Sequence, residues 1–253
     1  MNTQRMRLVG LVLAMGLSGA THAALVSRLD GQAVYDTDLN VTWMANANLA
    51  ATNTFGVSGI NTNGSMTWDT AQSWIGAMNT GNYLGYNDWM LPTTLQPDAS
   101  CGVQQYGISY GINCTGSQLG HLFYSELGGV GTNTSLGIPI TTTHNASYSL
   151  FNNVQADYYW SGTEYAGLTT YAWFFDFTHG KQNNAGKSDH YFALAVRPGD
   201  VALTCTDPTC TATTTPPDIV TSPPSVPEPE SWGLMLSGLS LVGWAARQRK
   251  ERI

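Results

Sequence analysis

Residues 171–177 read Tyr-Ala-Trp-Phe-Phe-Asp-Phe, the clearest strand pattern in the chain. Aromatic side chains recur at every second position, at Tyr171, Trp173, Phe175 and Phe177. Because successive side chains of a strand point to opposite faces, these four share one face of an extended segment. The stretch therefore predicts a strand with one strongly aromatic face.

Further strands are predicted on either side of this stretch. Upstream, residues 158–160 (Tyr-Tyr-Trp) form a short aromatic segment. Downstream, after a turn at His179-Gly180, residues 191–197 place three apolar side chains on one face: Phe192, Leu194 and Val196. We expect these strands to pair into a small antiparallel sheet.

The first half of the chain predicts a hairpin and two helices. Residues 33–35 and 41–43 have strand-forming composition and are joined by a polar turn. Residues 68–78 and 118–127 show helical periodicity, and each follows a hydroxyl residue suited to an N-cap and precedes glycine. The expected caps are Thr67 and Ser117, the stops are Gly81 and Gly128-Gly129, and the expected buried residues are Trp68, Ala71, Ile75, Met78, Leu119, Leu122 and Phe123.

These patterns predict an α+β domain with a small antiparallel sheet, two helices and long loops. The expected division of the chain is a signal peptide (1–23), the folded domain (24–200), a Cys/Thr/Pro-rich linker (201–226) and a C-terminal sorting segment (227–253). The linker composition is too polar and too proline-rich to bury a core.

The region between the two terminal segments is strongly acidic. Residues 24–226 contain four basic and fourteen acidic side chains, a net charge of −10. Such a surface repels nucleic acid and sulfated polyanions, so we expect no nucleic-acid partner and disfavour a heparin-like ligand.

Four cysteines suit an oxidising compartment. Cys101 and Cys114 flank a Gly/Tyr-rich loop, whereas Cys205 and Cys210 enclose a very short one. Two local disulfides are the economical pairing. Zinc ligation is the alternative, but neither pair has C-x-x-C spacing.

The C-terminal segment has three parts. Pro227-Glu228-Pro229 is followed by an uncharged apolar run, residues 232–246, and then by a basic cluster of Arg247, Arg249, Lys250 and Arg252. The run approaches membrane-spanning length, and a trailing basic cluster is expected to stay cytoplasmic. The arrangement resembles the PEP-CTERM sorting signal, which implies processing by an exosortase-type membrane enzyme after transient anchoring in the inner membrane. An ordinary C-terminal membrane anchor is the alternative.

The N-terminus fits the same route. Arg5 and Arg7 precede an apolar segment, residues 8–17, and small residues follow. This is the pattern of a secretory signal peptide, and we expect cleavage after Ala23. A buried N-terminal helix is the alternative. Both ends therefore predict an exported protein at the cell surface or in the extracellular matrix.

Two blocks in the body carry a family likeness. Residues 85–93 read Gly-Tyr-Asn-Asp-Trp-Met-Leu-Pro-Thr, close to G-x-x-D-W-R-L-P-T but with Met90 where Arg is usual. Residues 159–164 read Tyr-Trp-Ser-Gly-Thr-Glu, and Val196-Arg197-Pro198 closes the region. The body resembles the Lcl C-terminal domain-like family, a domain of unknown function. This resemblance implies a fold related to C-type lectins and formylglycine-generating enzymes and, as for some members, adhesion to glycans.

The first block suggests structural roles. Asp88 is expected in a tight turn, Trp89 in the core and Pro92 at a stiffened exit. Arg197 is one of four cations in the body, and we expect it to pair with a partly buried carboxylate, either Asp88 or Glu164.

Aromatic and polar residues near the late strands are candidates for sugar binding. The set is Trp160, Glu164, Tyr165, Tyr171 and Trp173, because aromatic rings stack on sugar rings while carboxylates accept hydrogen bonds from hydroxyls. The same aromatics could serve the core instead. Gln96-Pro97-Asp98 resembles part of a lectin calcium motif, but its spacing to Asn87-Asp88 is wrong, so we expect no metal.

Catalytic motifs are missing from the sequence. It contains no G-x-S-x-G, no H-E-x-x-H and no glycine-rich phosphate loop. We therefore expect a non-enzymatic envelope protein without a cofactor, with extracellular polysaccharide as the first candidate ligand. An enzyme acting on matrix polysaccharide and a purely structural biofilm protein remain alternatives.

Overall fold

The computed structural model describes residues 25–201, which form two antiparallel sheets with short helices and long loops. This confirms the α+β class. The strands are β1 (Leu25–Arg28), β2 (Ala33–Asp36), β3 (Val41–Met44), β4 (Val103–Gln105), β5 (Ile108–Ile112), β6 (Tyr158–Glu164), β7 (Tyr171–Asp176), β8 (Lys181–Gly186) and β9 (Val196–Pro198). The helices are α1 (Trp68–Thr80) and α2 (Gln118–His121), the latter continued by a π-helical turn, Leu122–Glu126.

The first sheet has the order β1-β2-β3-β9. The predicted hairpin is present, with Asp36 opposite Val41. The carboxylate of Asp36 accepts hydrogen bonds from the backbone N–H groups of Asp38 and Leu39, which fixes the turn, and Asn40 adopts the left-handed conformation that closes it.

The second sheet has the order β4-β5-β8-β7-β6, and here one prediction is wrong. The strand after the His179-Gly180 turn is β8, whereas residues 191–197 belong elsewhere: their last part is β9, paired with β3. The β8 sequence, Lys-Gln-Asn-Asn-Ala-Gly, lacks apolar alternation because it pairs mainly through its backbone. Residues 192–196 are buried without alternation because they run between other elements.

Helix α1 begins at the predicted residue. The side chain of Thr67 accepts a hydrogen bond from the N–H of Thr70, as an N-cap should, and the helix ends before Gly81, two residues later than predicted. Its buried face is formed by Trp68, Ala71, Trp74, Ile75 and Met78.

The second predicted helix is shorter and less regular. Ser117 precedes α2 but does not cap it, since its hydroxyl accepts a hydrogen bond from the N–H of Leu95 instead. Gly120 is required within α2, because a Cβ there would lie 1.8 Å from the carbonyl oxygen of Cys114. The predicted burial of Leu119, Leu122 and Phe123 is confirmed.

The two faces of strand β7 have different surroundings. Trp173 and Phe175 are buried, and Phe175 packs 5.4 Å from Phe123 of the π-helical turn. Phe174 lies on the opposite face and is only partly buried, 5.0 Å from the ring of Tyr158 on β6. The second sheet therefore packs one face into the core and leaves part of the other open.

Within residues 25–201, no helix combines the length and apolarity needed to cross a membrane. The predicted transmembrane helix at the C-terminus lies outside the described residues, as do the signal peptide and the linker from residue 202 onward.

Candidate carbohydrate-binding site

Arg197 pairs with Asp88, one of its two predicted partners. Its Nε and Nη2 atoms donate to the two carboxylate oxygens at 2.7 and 2.9 Å, and Nη1 donates to the carbonyl oxygen of Asp200 at 2.9 Å. The guanidinium also lies 4.2 Å from the ring centroid of Tyr86. The hydrogen bond from Arg197 lowers the pKa of Asp88 despite partial burial.

The other residues of the first block join it to the second. Trp89 is buried, and its indole N–H donates to the carbonyl oxygen of Tyr83 at 3.1 Å. The carbonyl oxygen of Pro92 accepts hydrogen bonds from the Ser161 hydroxyl and the Gly162 N–H, each at 2.8 Å. The contacts of both blocks are those of a scaffold.

Trp160 cannot form a sugar-stacking surface, so this prediction is wrong. Its side chain is fully buried, and its indole N–H donates to the carbonyl oxygen of Met66 at 2.9 Å. The ring belongs to the core cluster and lies 4.4 Å from the ring of Tyr191, and its large apolar area is removed from water.

Three of the predicted sugar-binding residues line a common cleft. We call it the hairpin cleft: about 180 Å³ beside the β6–β7 connection, lined by Glu164, Tyr165 and Trp173 together with Gln96, Gly107, Ile108, Thr163, Ala166 and Gly167. Trp173 is only 2% exposed, and the Glu164 carboxylate lies 2.6 Å from the ammonium of Lys187. Tyr171 is exposed but does not line this cleft. The Trp173 ring is therefore almost inaccessible to a sugar, and the Glu164 carboxylate is already paired with Lys187.

A second cleft lies on the open face of the second sheet. This sheet-face cleft has a volume of about 220 Å³ and is lined by Tyr158, Phe174, Asp176, His179, Lys181 and Asn183. Strand register explains the grouping: Asp176 lies opposite both Tyr158 and Lys181, and Phe174 lies opposite Asn183. Paired residues point to the same face of a sheet, so the cleft follows from the pairing of β6, β7 and β8.

Two aromatic residues, Tyr158 and Phe174, line the sheet-face cleft, and Tyr191 packs beside them. Tyr158, Phe174 and Tyr191 lie with their centroids 5.0 Å apart in each pair, edge to face, and all three are partly exposed. Burial raises the pKa of Tyr191 to about 12, with a further contribution from Asp189, so its hydroxyl stays protonated at neutral pH.

A histidine and an aspartate form the polar end of the cleft. The Nδ1 atom of His179 lies 2.6 Å from Oδ2 of Asp176, while Oδ1 accepts the backbone N–H groups of Thr178 and His179. These bonds orient the imidazole and leave its Nε2 atom without a hydrogen bond to any residue from 25 to 201. Asp176 itself is buried.

Lys181 is exceptional among the four Lys and Arg side chains described. Arg28 pairs with Asp200, Lys187 with Glu164 and Arg197 with Asp88. Within residues 25–201, no carboxylate lies within 4 Å of the Lys181 ammonium. The nearest candidate by register, Asp176, is already satisfied by His179 and by two backbone N–H groups.

Sequence reasoning missed this cleft. Apart from Asp176 at the end of β7, its charged and amide residues lie on β8 and in the preceding turn, where no aromatic or apolar pattern marks a strand. Lys181 and Asn183 are two residues apart, and that spacing was the available indication that they share a face.

A buried charged cluster lies elsewhere, under the first sheet. Atoms of Asp36, His121 and Glu126 approach one another within 4.8 Å, and the His121 Nε2 atom lies 3.1 Å from Glu126 Oε1. The hydrogen bond to Glu126 raises the pKa of His121, aided by the charge of Asp36 and opposed by burial. Asp36 also accepts from the indole N–H of Trp43 at 3.2 Å. Internal hydrogen bonds and an ion pair thus account for these side chains.

The Gln96-Pro97-Asp98 segment has a structural role. The Gln96 amide binds both the N–H and the carbonyl oxygen of Ser109, and Asp98 accepts from the N–H groups of Ser100 and Gly116. The structure contains the Cys101–Cys114 disulfide beside this segment.

Several predicted sites lie outside residues 25–201, so the structure does not test them. They are the cleavage site at Ala23, the pair Cys205 and Cys210, and the motif residues Pro227, Glu228 and Pro229.

Comparison with known proteins identifies the C-terminal segment. A family model described as the PEP-CTERM protein-sorting motif matches residues 225–250. No curated protein and no solved structure matches the chain significantly. No family match supports the likeness of the body to the Lcl C-terminal domain-like family, which stays an expectation from its motifs. The matched motif indicates an exported protein that is processed by exosortase, a membrane enzyme, on its way to the cell surface.

Proposed function

We propose that this exported protein is a non-enzymatic component of the cell envelope or extracellular matrix whose folded domain binds polysaccharide in the sheet-face cleft. The lectin-like fold implied by the two sequence blocks belongs to this proposal. The observation that carries it is the combination of three partly exposed aromatic rings with polar side chains on one open sheet face.

Both parts of this combination suit a sugar. The C–H face of a pyranose packs on an aromatic ring, and its hydroxyls need donors and acceptors at the rim. Phe174 and Tyr158 offer ring surface, and the amide of Asn183 can both donate and accept. The hairpin cleft is the weaker candidate, since Trp173 is nearly inaccessible there and Glu164 is paired with Lys187.

The Asp176–His179 pair is the feature that an enzymatic alternative would use. An imidazole oriented by a carboxylate resembles the base of a nucleophilic triad. Among residues 25–201, however, no serine or cysteine side chain hydrogen-bonds to His179. Orientation of a hydrogen-bonding group toward a ligand is the role we assign to this pair.

Affinity electrophoresis of the exported protein in gels that contain different polysaccharides tests the binding. Phe174→Ala is expected to weaken retardation about tenfold, equivalent to ~1.4 kcal/mol, through loss of a stacking surface. Tyr106→Ala is the matched control, because Tyr106 is 94% exposed at the β4–β5 turn, outside the cleft. Retardation by no polysaccharide, with both proteins folded by circular dichroism, would favour the structural alternative.

The same preparation distinguishes binding from hydrolysis. Incubation with each retarding polysaccharide, followed by an assay of new reducing ends, is expected to show no release above that of the Phe174→Ala protein. Release that disappears in His179→Gln would establish the enzymatic alternative.

Mass spectrometry of the mature C-terminus tests the sorting route. In cells that contain an exosortase, we expect a product that has lost residues 232–253, and replacement of Glu228 by Ala should leave the longer species in the membrane fraction. Persistence of the full C-terminus in the unaltered protein would identify an ordinary membrane anchor.

A further inference from the structure

We propose that the sheet-face cleft selects a polysaccharide that carries isolated carboxylated sugars, with Lys181 as the residue that pairs with the carboxylate. This inference rests on the proposed carbohydrate binding and adds the class of ligand. It starts from the charge of Lys181, which no residue among 25–201 neutralises within 4 Å.

The position of Lys181 relative to the rings fits this role. Asn183 lies directly opposite Phe174, and Lys181 lies two residues farther along β8, about 7 Å away on the same face. A pyranose ring stacked on Phe174 would have its hydroxyls near the Asn183 amide. A carboxylate on that sugar or on its neighbour would then lie within reach of the flexible Lys181 ammonium.

The surroundings keep Lys181 available. Asp176 lies opposite it in register, but both carboxylate oxygens of Asp176 already accept hydrogen bonds from the turn. His179, on the same rim, is held by Asp176 through Nδ1. The cleft therefore offers, at one end, a lysine ammonium without an ion-pair partner among residues 25–201 and, at the other, aromatic rings.

The net negative charge of the domain favours a ligand that carries few negative charges. Residues 25–201 contain four Lys and Arg side chains and twelve acidic ones. A densely charged polyuronate or sulfated chain would be repelled by the net negative charge of the domain, whereas one carboxylate per repeat unit gains the Lys181 contact with less repulsion. We therefore expect a preference order of sparsely carboxylated, then neutral, then densely anionic polysaccharide.

Isothermal titration of the exported protein tests this order with three probes. They are a bacterial polysaccharide with one glucuronate per repeat, the same polymer after chemical reduction of its carboxyl groups, and polygalacturonate. Reduction of the carboxyl groups should weaken binding about fivefold, equivalent to ~1 kcal/mol for a partly exposed ion pair.

Two variants assign the effect to Lys181. In Lys181→Gln the fivefold preference should disappear, whereas Lys187→Gln removes an equal charge outside the cleft and should retain it. A rise in salt from ~50 to ~300 mM should also reduce the preference in the unaltered protein.

The outcomes separate this inference from the proposed function. Equal binding of the glucuronate polymer and its reduced form would overturn the inference and leave carbohydrate binding intact. Tightest binding of polygalacturonate, or a preference that survives in Lys181→Gln, would overturn it as well. Binding of none of the probes and of no polysaccharide in affinity electrophoresis would overturn both.

Discussion

Asp88 and Arg197 lie 109 residues apart in the chain, yet their side chains form two parallel hydrogen bonds of 2.7 and 2.9 Å. Asp88 follows α1 in the first sequence block, and Arg197 lies on β9 in the first sheet. The ion pair thus connects the loop that follows α1 with β9, the last strand in the order of the first sheet. The two side chains are 40% and 10% exposed, so water screens the pair on the Asp88 side.

Arg197→Ala is expected to lower the free energy of unfolding by about 2 kcal/mol, because it removes the ion pair, the hydrogen bond to Asp200 and the packing on Tyr86. Arg197→Lys should lose about half of this, since an ammonium cannot make the bidentate contact. Urea titration measures both. A change below ~0.5 kcal/mol for Arg197→Ala would show that the pair is energetically neutral.

Low pH should remove the contribution that the Asp88 carboxylate makes to the free energy of unfolding. The pKa of this carboxyl is lowered in the folded protein, so its contribution is present above the unfolded pKa of about 4 and is lost as pH falls through the folded value. The difference in stability between the unaltered protein and Asp88→Asn should therefore shrink below pH ~4. A difference that is constant down to pH ~2 would contradict the ion pair.

Replacement of both Cys101 and Cys114 by Ser is expected to destabilise the domain by about 2–3 kcal/mol. The bond spans 13 residues, and its loss frees the β4–β5 hairpin in the unfolded chain. Differential scanning calorimetry with and without reductant measures the effect. Reductant should lower the Tm of the unaltered protein toward that of the variant; an equal Tm in all samples would contradict the prediction.

Trp160→Ala should lower the free energy of unfolding by about 3–5 kcal/mol, because it empties a fully buried site and removes one of the two hydrogen bonds to the carbonyl oxygen of Met66, the other being donated by the N–H of Tyr191. Trp160→Phe should cost less and leave polysaccharide binding unchanged. Chemical denaturation and affinity electrophoresis test the two statements. Lost binding in a folded Trp160→Phe protein would contradict the second statement.

The His121–Glu126 pair should make stability depend on pH. Since the folded pKa of His121 is raised above the unfolded value of about 6.5, its contribution is complete below that value and is lost as pH rises through the folded pKa. His121→Gln should thus be destabilising by on the order of 1 kcal/mol at pH ~5.5 and by less at pH ~8.5. Thermal unfolding across this range measures it, and His190→Gln, at an exposed position, is the control. Equal losses at both pH values would show that His121 stays in one protonation state.

The elements that sequence reasoning predicted well are those with local causes. The β2–β3 hairpin has its turn fixed by Asp36, and α1 has its N-cap at Thr67 and an apolar face with helical spacing. Arg197 could be assigned a carboxylate partner because cations are scarce, and the choice between Asp88 and Glu164 needed the structure.

The candidate site depended on contacts that the sequence does not display. Aromatic residues chosen from their types proved to be core, as Trp160 and Trp173 are, because burial depends on which elements pack over each position of a strand. Tyr158 and Phe174 share a sheet face with Trp160 but stay partly exposed beside Tyr191, and only the tertiary structure shows this.

The amino-acid sequence by itself determined the α+β class, the hairpin, the first helix and the sorting motif, since each depends on spacing and capping within a few residues. Tertiary structure decided that residues 181–186 form the strand beside β7 and that residues 196–198 join the other sheet. The physical reason is that a polar strand is held by backbone hydrogen bonds to its neighbours, and these bonds leave no periodic pattern of side chains in the strand itself.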